Sequence, residues 1–109
     1  MKILITGSNG LLGQKIVQQL LKANCSFLAT SKGENRNQDC PQANYTSLDI
    51  SDENAINHLF DVFQPTHVIH TAAITNVDYC ELNPEECDEV NYLASMKLFK
   101  AAQKINAHF

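Results

Sequence analysis

The sequence predicts an α/β fold, a parallel sheet with helices on both faces. Three observations predict it. An apolar run, Ile3-Leu4-Ile5, leads straight into three glycines spaced Gly7-x-x-Gly10-x-x-Gly13. Leu12, Ile16, Val17, Leu20 and Leu21 then recur at helical spacing. Short apolar runs and amphipathic segments alternate through the rest of the chain, as strands joined by helical crossovers do. Right-handed crossovers place the first strand centrally and give the strand order 3-2-1-4.

The first strand covers residues 2–6 and the first helix residues 11–23. A second strand covers residues 26–30, with Phe27, Leu28 and Ala29 at its centre. Residues 31–43 are polar and read as a loop. A short strand at 45–48 ends at Asp49. Ser51 is the expected N-cap of the second helix, with Asp52 and Glu53 in its first turn, where the helix dipole favours acids. Ile56, Leu59, Phe60 and Phe63 form its apolar stripe, and Pro65 ends it. The fourth strand covers residues 67–71. Asn83 caps the last helix, Pro84 opens it, and Glu85 and Glu86 fill its first turn. Cys87, Val90, Ala94, Leu98, Ala101 and Ile105 continue it, with Lys97, Lys100 and Lys104 towards its C-terminal half. The final residues read as the start of a further strand, so a fragment of a longer protein is expected.

The 109 residues, 44% hydrophobic and 18% charged, suit one soluble globular unit. The net charge of −4, with no basic patch, argues against nucleic acid as a partner. No apolar run is long enough to span a membrane, and the start lacks a signal-peptide pattern, so a cytoplasmic protein is expected. The four cysteines, Cys25, Cys40, Cys80 and Cys87, include no C-x-x-C pair and no zinc spacing. Cys25 and Cys87 read as small apolar residues of the core, without a redox role. His67 and His70 are three apart on a strand and face opposite sides, so no metal site is expected.

The glycine loop carries the chemistry. Gly7 leaves the strand at a tight turn, where positive φ costs glycine nothing. Gly10 has no Cβ to obstruct a diphosphate, and Gly13 lets helix and strand pack closely. With Ser8, Asn9, Leu11 and Leu12 they form an anion cradle at a helix N-terminus. A ligand-free turn is the plainer alternative. An acid that would hold a ribose 2′-OH is missing after the second strand, where Thr30, Ser31 and Lys32 stand with Arg36 nearby. Ser31 and Lys32 suit a 2′-phosphate, which favours NADP (as NADPH) over NAD; ordinary solvated loop charges are the alternative. Asp49, followed by Ile50, falls at the carboxyl edge of the sheet, where it would accept from an adenine amino group or cap a turn. Thr71, Ala72 and Ala73 would let backbone run along a nicotinamide, or are small for packing alone. Asn91 is the odd polar residue beside an apolar stripe, and serves either structure or the ordering of a proton-relay water.

These residues resemble the extended short-chain dehydrogenase/reductases, a Rossmann-type family, and within it the dTDP-4-dehydrorhamnose reductase group. The matching stretches are Ile5-Thr-Gly-Ser-Asn-Gly-Leu-Leu-Gly13, Leu48-Asp-Ile-Ser-Asp52, Pro65-Thr-His-Val-Ile-His-Thr-Ala-Ala73 and Thr75-Asn-Val-Asp-Tyr-Cys-Glu-Leu-Asn-Pro-Glu85, closing with Val90-Asn91. The resemblance implies that residues 1–109 are the N-terminal part of an NAD(P)-binding domain, without the C-terminal substrate part. It implies hydride transfer to the C4 ketone of a 4-keto-6-deoxy nucleotide sugar in rhamnose biosynthesis. Gly7, Gly10 and Gly13 would hold the pyrophosphate, Asp49 and Ile50 would flank the adenine, Ala72 and Ala73 would line the cofactor channel, and Asn91 would match the family's catalytic asparagine. Many relatives carry Asn in place of His70 and Lys in place of Tyr79. The family's catalytic Ser and Tyr-x-x-x-Lys have no counterpart here: Tyr45, Tyr79 and Tyr92 are followed four residues on by Asp49, Asn83 and Met96. The chain alone is therefore expected to lack the reductase activity. The resemblance also allows a homodimer of the full-length protein, a non-catalytic NADP-binding regulatory subunit like that of methionine adenosyltransferase, or a nucleotide-sugar epimerase or dehydratase.

Overall fold

The computed structural model describes residues 1–71 and 77–109. The elements run β1 (Lys2–Thr6), α1 (Leu11–Lys22), β2 (Ser26–Ser31), a 3-10 turn (Gln42–Asn44), β3 (Tyr45–Ser47), α2 (Glu53–Phe63), β4 (His67–His70), α3 (Val77–Leu82) and α4 (Pro84–Lys104). The four strands form one sheet in the order β3-β2-β1-β4, parallel throughout. β1 is central, as the handedness of the crossovers requires.

Alternation along β1 divides the interior into two layers. Ile3 and Ile5 point to one face and pack with Val17, Leu20, Phe27, Ala29 and Tyr45. Leu4 points to the other and packs with Leu48, Ile56, Phe60, Val68 and Leu98. Thus α1 covers one face, while α2 and α4 cover the other. A sheet buried on both faces needs near-continuous apolar strands, which β1 supplies.

Several boundaries differ from the expectation for local reasons. The N-cap of α2 is Asp52, whose carboxylate accepts from the Ala55 amide at 3.1 Å. Ser51 instead donates both its hydroxyl and its amide to Asp49 Oδ1, at 2.7 and 3.0 Å. Asp52 wins because its carboxylate reaches the third residue of the turn. Gln64, at φ 52°, ends α2 in the left-handed region one residue before Pro65. The six-residue α3 and the 3-10 turn are additions, both too short to leave a periodic apolar signal.

Cys87 is buried, as its place on the stripe of α4 implies. It is not a plain apolar thiol, however, because it forms a disulfide with Cys80 that joins α3 to α4. Cys25 packs at the edge of the α1 layer, and Cys40 lies within it. Beyond α4, the His108 amide donates to Thr66 O at 2.9 Å and the Val68 amide donates to His108 O at 2.7 Å. This bridge to His67 is parallel and sets the chain end beside β4, as the expected further strand would run.

Candidate functional site

The carboxyl ends of the four strands meet at the glycine loop. Gly7 takes φ 73°, a conformation that side-chain-bearing residues rarely adopt. Gly13 is forced by packing: a Cβ there would collide with Gly7 O and lie 2.8 Å from Ser8 Cα. Gly10 is different. Among the described residues, a Cβ there would meet only Gly7 O, at 3.4 Å, the lower edge of an ordinary contact, so packing does not force glycine at this place as it does at Gly13.

Gly10 is the N-cap of α1 and supplies no side-chain hydrogen bond. No acid occupies the first turn. The amides of Leu11, Leu12 and Gly13 cannot bond within the helix, because no preceding turn offers them carbonyls. Leu11 and Leu12 are exposed there. Ser8 is fully buried, and its Oγ finds no hydrogen-bond partner among the described residues. First-turn amides without intrahelical partners, the positive end of the α1 dipole and the Ser8 hydroxyl all suit an anion.

The polar stretch between β2 and β3 folds back onto this loop. Asn9 Nδ2 donates to Glu34 O at 2.9 Å, and the Arg36 amide donates to Asn9 Oδ1 at 2.8 Å. Asn37, 3% exposed, donates to Ser8 O at 3.4 Å and accepts from the Asp39 amide at 3.1 Å. Tyr45 donates to Gly33 O and Ser31 O. Burial raises the Tyr45 pKa, against the nearby Arg36 charge. Asn9, expected to face a ligand, therefore spends its amide on the loop. Asn37 and Tyr45 were not singled out by the sequence; their partners are backbone carbonyls and amides, which leave no mark in residue type.

Lys32 and Asp49, assigned separate tasks by the sequence, stand 3.9 Å apart as an ion pair. Both are accessible, the Lys32 side chain 82% and the Asp49 side chain 44%. The Asp49 pKa is lowered, first by the Ser51 hydroxyl, then by the Ser51 amide, with smaller contributions from Lys32 and Lys97. Its Oδ1 thus caps a turn, while Oδ2 faces Lys32. Lys97 of α4 donates to Ser51 O at 2.9 Å and holds this corner from the other side. Ser31 is half-buried at the end of β2, where its carbonyl accepts from the Leu48 amide at 2.9 Å.

At the end of β4, the Thr71 hydroxyl donates to Thr6 O at 2.6 Å, which fastens the segment leaving β4 to β1. Ala72 and Ala73 lie outside the described residues. Asn91 is half-buried in α4. Among the described residues, no group of three or more His, Cys, Asp and Glu side chains could hold a metal ion. Nor is any helix there long and apolar enough to cross a membrane.

The family model that matches is the RmlD substrate binding domain, over residues 1–109. The chain belongs to that family. The dTDP-4-dehydrorhamnose reductase of Clostridium acetobutylicum is 36% identical, with a TM-score of 0.75, over 98% of this chain and 34% of its own. The probable low-salt glycan biosynthesis reductase Agl14 of Haloferax volcanii is 37% identical over 87 residues, 80% of this chain and 28% of its own length. The Thermus thermophilus UDP-glucose 4-epimerase, solved as a complex with NAD, is 28% identical, with a TM-score of 0.86, over 98% of this chain and 35% of its own. The Rossmann-type architecture is therefore that of the extended short-chain dehydrogenase/reductases. The chain spans 28% to 34% of the length of the first curated relatives it matches.

Proposed function

We propose that this chain is the cofactor-binding part of an NAD(P)-dependent reductase acting on the C4 ketone of a 4-keto-6-deoxy nucleotide sugar. The observation that carries the reading is the glycine loop: a helix N-terminus with no side-chain cap at Gly10, where a Cβ meets only Gly7 O among the described residues. The reductase relatives supply the substrate class.

When bound, the nicotinamide cofactor supplies the hydride. The chain's own residues grip and orient it. The Leu11, Leu12 and Gly13 amides would hold the pyrophosphate, with Gly7 and Ser8 shaping the turn and Asn9 holding the neighbouring loop. Ser31 and Lys32 face the ribose 2′ position, where a phosphate would compete with Asp49 for the Lys32 ammonium. That competition favours NADPH over NADH, since a dianionic phosphate attracts the ammonium more strongly than one exposed carboxylate does. Asp49 and Ile50 would flank the adenine, Thr71 with Ala72 and Ala73 would serve the nicotinamide half, and Asn91 would order a water on the proton path. The proton donor itself lies in the rest of the protein. A cytoplasmic location is part of this reading.

The test uses the full-length protein that carries this segment. It is expected to oxidise NADPH when given a dTDP-4-keto-6-deoxyhexose, and faster than it oxidises NADH. Interconversion of sugars without net cofactor oxidation would replace the reading with an epimerase. Cofactor binding together with a stoichiometric protein partner and no turnover would replace it with a regulatory subunit.

A further inference from the structure

His70 lies at the carboxyl end of β4, directly across from Thr6 of β1 in the register of the sheet. Parity places both on the α4 side, since Leu4 and Val68 two residues earlier pack in that layer. The imidazole uses both nitrogens. Nδ1 is 2.7 Å from Thr6 Oγ1, and Nε2 is 3.0 Å from Ser95 Oγ on α4. Thr6 is itself buried, and its Oγ1 also accepts from the Thr71 amide at 3.1 Å. One hydrogen-bonded chain therefore runs from the segment leaving β4, through the central strand and the imidazole, to the middle of α4. Ser95 lies four residues after Asn91, so the two share one helix face a single turn apart.

We propose that His70 is a positioning residue: by bridging Thr6 to Ser95 it fixes the height and rotation of α4 over the strand ends, and with them the place of Asn91. The inference rests on the reductase reading for what Asn91 does, but not for the bridge. Among the described residues, α4 also meets the sheet through apolar side chains, Leu98 and Ala101 among them, which resist separation but set no rotation, and Lys97 ties the helix to Ser51 O farther out. A two-ended hydrogen bond is directional and sets it. Among the described residues, the groups against the imidazole are uncharged: the Thr6 hydroxyl from β1, the Ser95 hydroxyl from α4, and the Phe109 ring at 6.0 Å. Burial lowers its pKa, which favours the neutral ring.

The test has two arms. In the 109-residue chain, imidazole nitrogen NMR is expected to show His70 not titrating at the free-histidine midpoint of about 6.5. Ser95→Ala is expected to move the Asn91 side-chain amide resonances, Ser95→Thr to restore them, and His70→Phe to move them as Ser95→Ala does. A His70 that titrates as a free imidazole, or Asn91 resonances unmoved in a folded Ser95→Ala protein, would overturn the bridge. In the full-length protein, Ser95→Ala is expected to lower kcat on the order of tenfold while leaving the cofactor Kd unchanged. An unchanged kcat would overturn the positioning role. A wild type without turnover would instead remove the reductase reading, and the bridge would still be decided by the resonances.

Discussion

The two halves of the strand-end surface are held by different means. Around β1, β2 and β3 the shape comes from backbone: a glycine at positive φ, a glycine where no Cβ fits, and asparagines that bond to peptide groups. Around β4 and α4 it comes from side chains reaching between elements: Thr6 to His70 to Ser95, Lys97 to Ser51, Cys80 to Cys87. A grip for a diphosphate needs bare amides and close approach, which only backbone supplies. A frame that orients one amide on a long helix needs directional side-chain bonds. On the proposed reading the first half would touch the ligand, while the second holds position.

Gly13→Ala breaks the first half most severely. Its Cβ would collide with the backbone of Gly7 and Ser8, which cannot yield without moving α1 from β1. A loss of about 3 kcal/mol or more is expected, read as a large drop in Tm or failure to fold. Asn37→Ala comes next. It removes a buried amide that ties the loop to Ser8, and a cost of about 1–2 kcal/mol in urea denaturation is expected. Asp52→Ala should cost about 1 kcal/mol through the lost cap of α2. Ser51→Ala should cost less, and the reverse order would restore Ser51 as the cap.

His70→Phe probes the second half through pH. Because the folded-state pKa of His70 lies below its unfolded value, the unfolded chain binds the proton first. Stability is then full above the unfolded pKa near 6.5 and declines as pH falls through it towards the folded pKa. In His70→Phe the pH dependence of urea stability should flatten over that window. An unchanged slope would mean that His70 is not the buried neutral group described.

The two halves were not equally legible in the sequence. The glycine loop could be read because its constraints are local: Gly7, Gly10 and Gly13 report on backbone within one turn. The strand order followed from the alternation of elements and the handedness of crossovers. The β4–α4 frame could not be read that way. Thr6 and His70 are 64 residues apart, and His70 and Ser95 are 25 apart. Nothing local marks either pair, although parity with Leu4 and Val68 puts Thr6 and His70 on one face. Cys80 and Cys87 escaped for a related reason. Their spacing of seven fits no recognised motif, and it brings them together only because α3 turns the chain before α4. Lys32 and Asp49 were read singly, and their pairing needs the β2 and β3 ends side by side.

The central claim, that the glycine loop is a cofactor grip, is tested most directly by calorimetric titration of NADPH into the protein and its Gly10→Val variant. Circular dichroism checks that both are folded, the Cβ itself meeting only Gly7 O, at 3.4 Å, among the described residues. The wild type is predicted to bind NADPH saturably at one site, and the variant to lose that binding. A folded wild type that binds no NADPH, or a Gly10→Val variant that binds it equally well, would contradict the account.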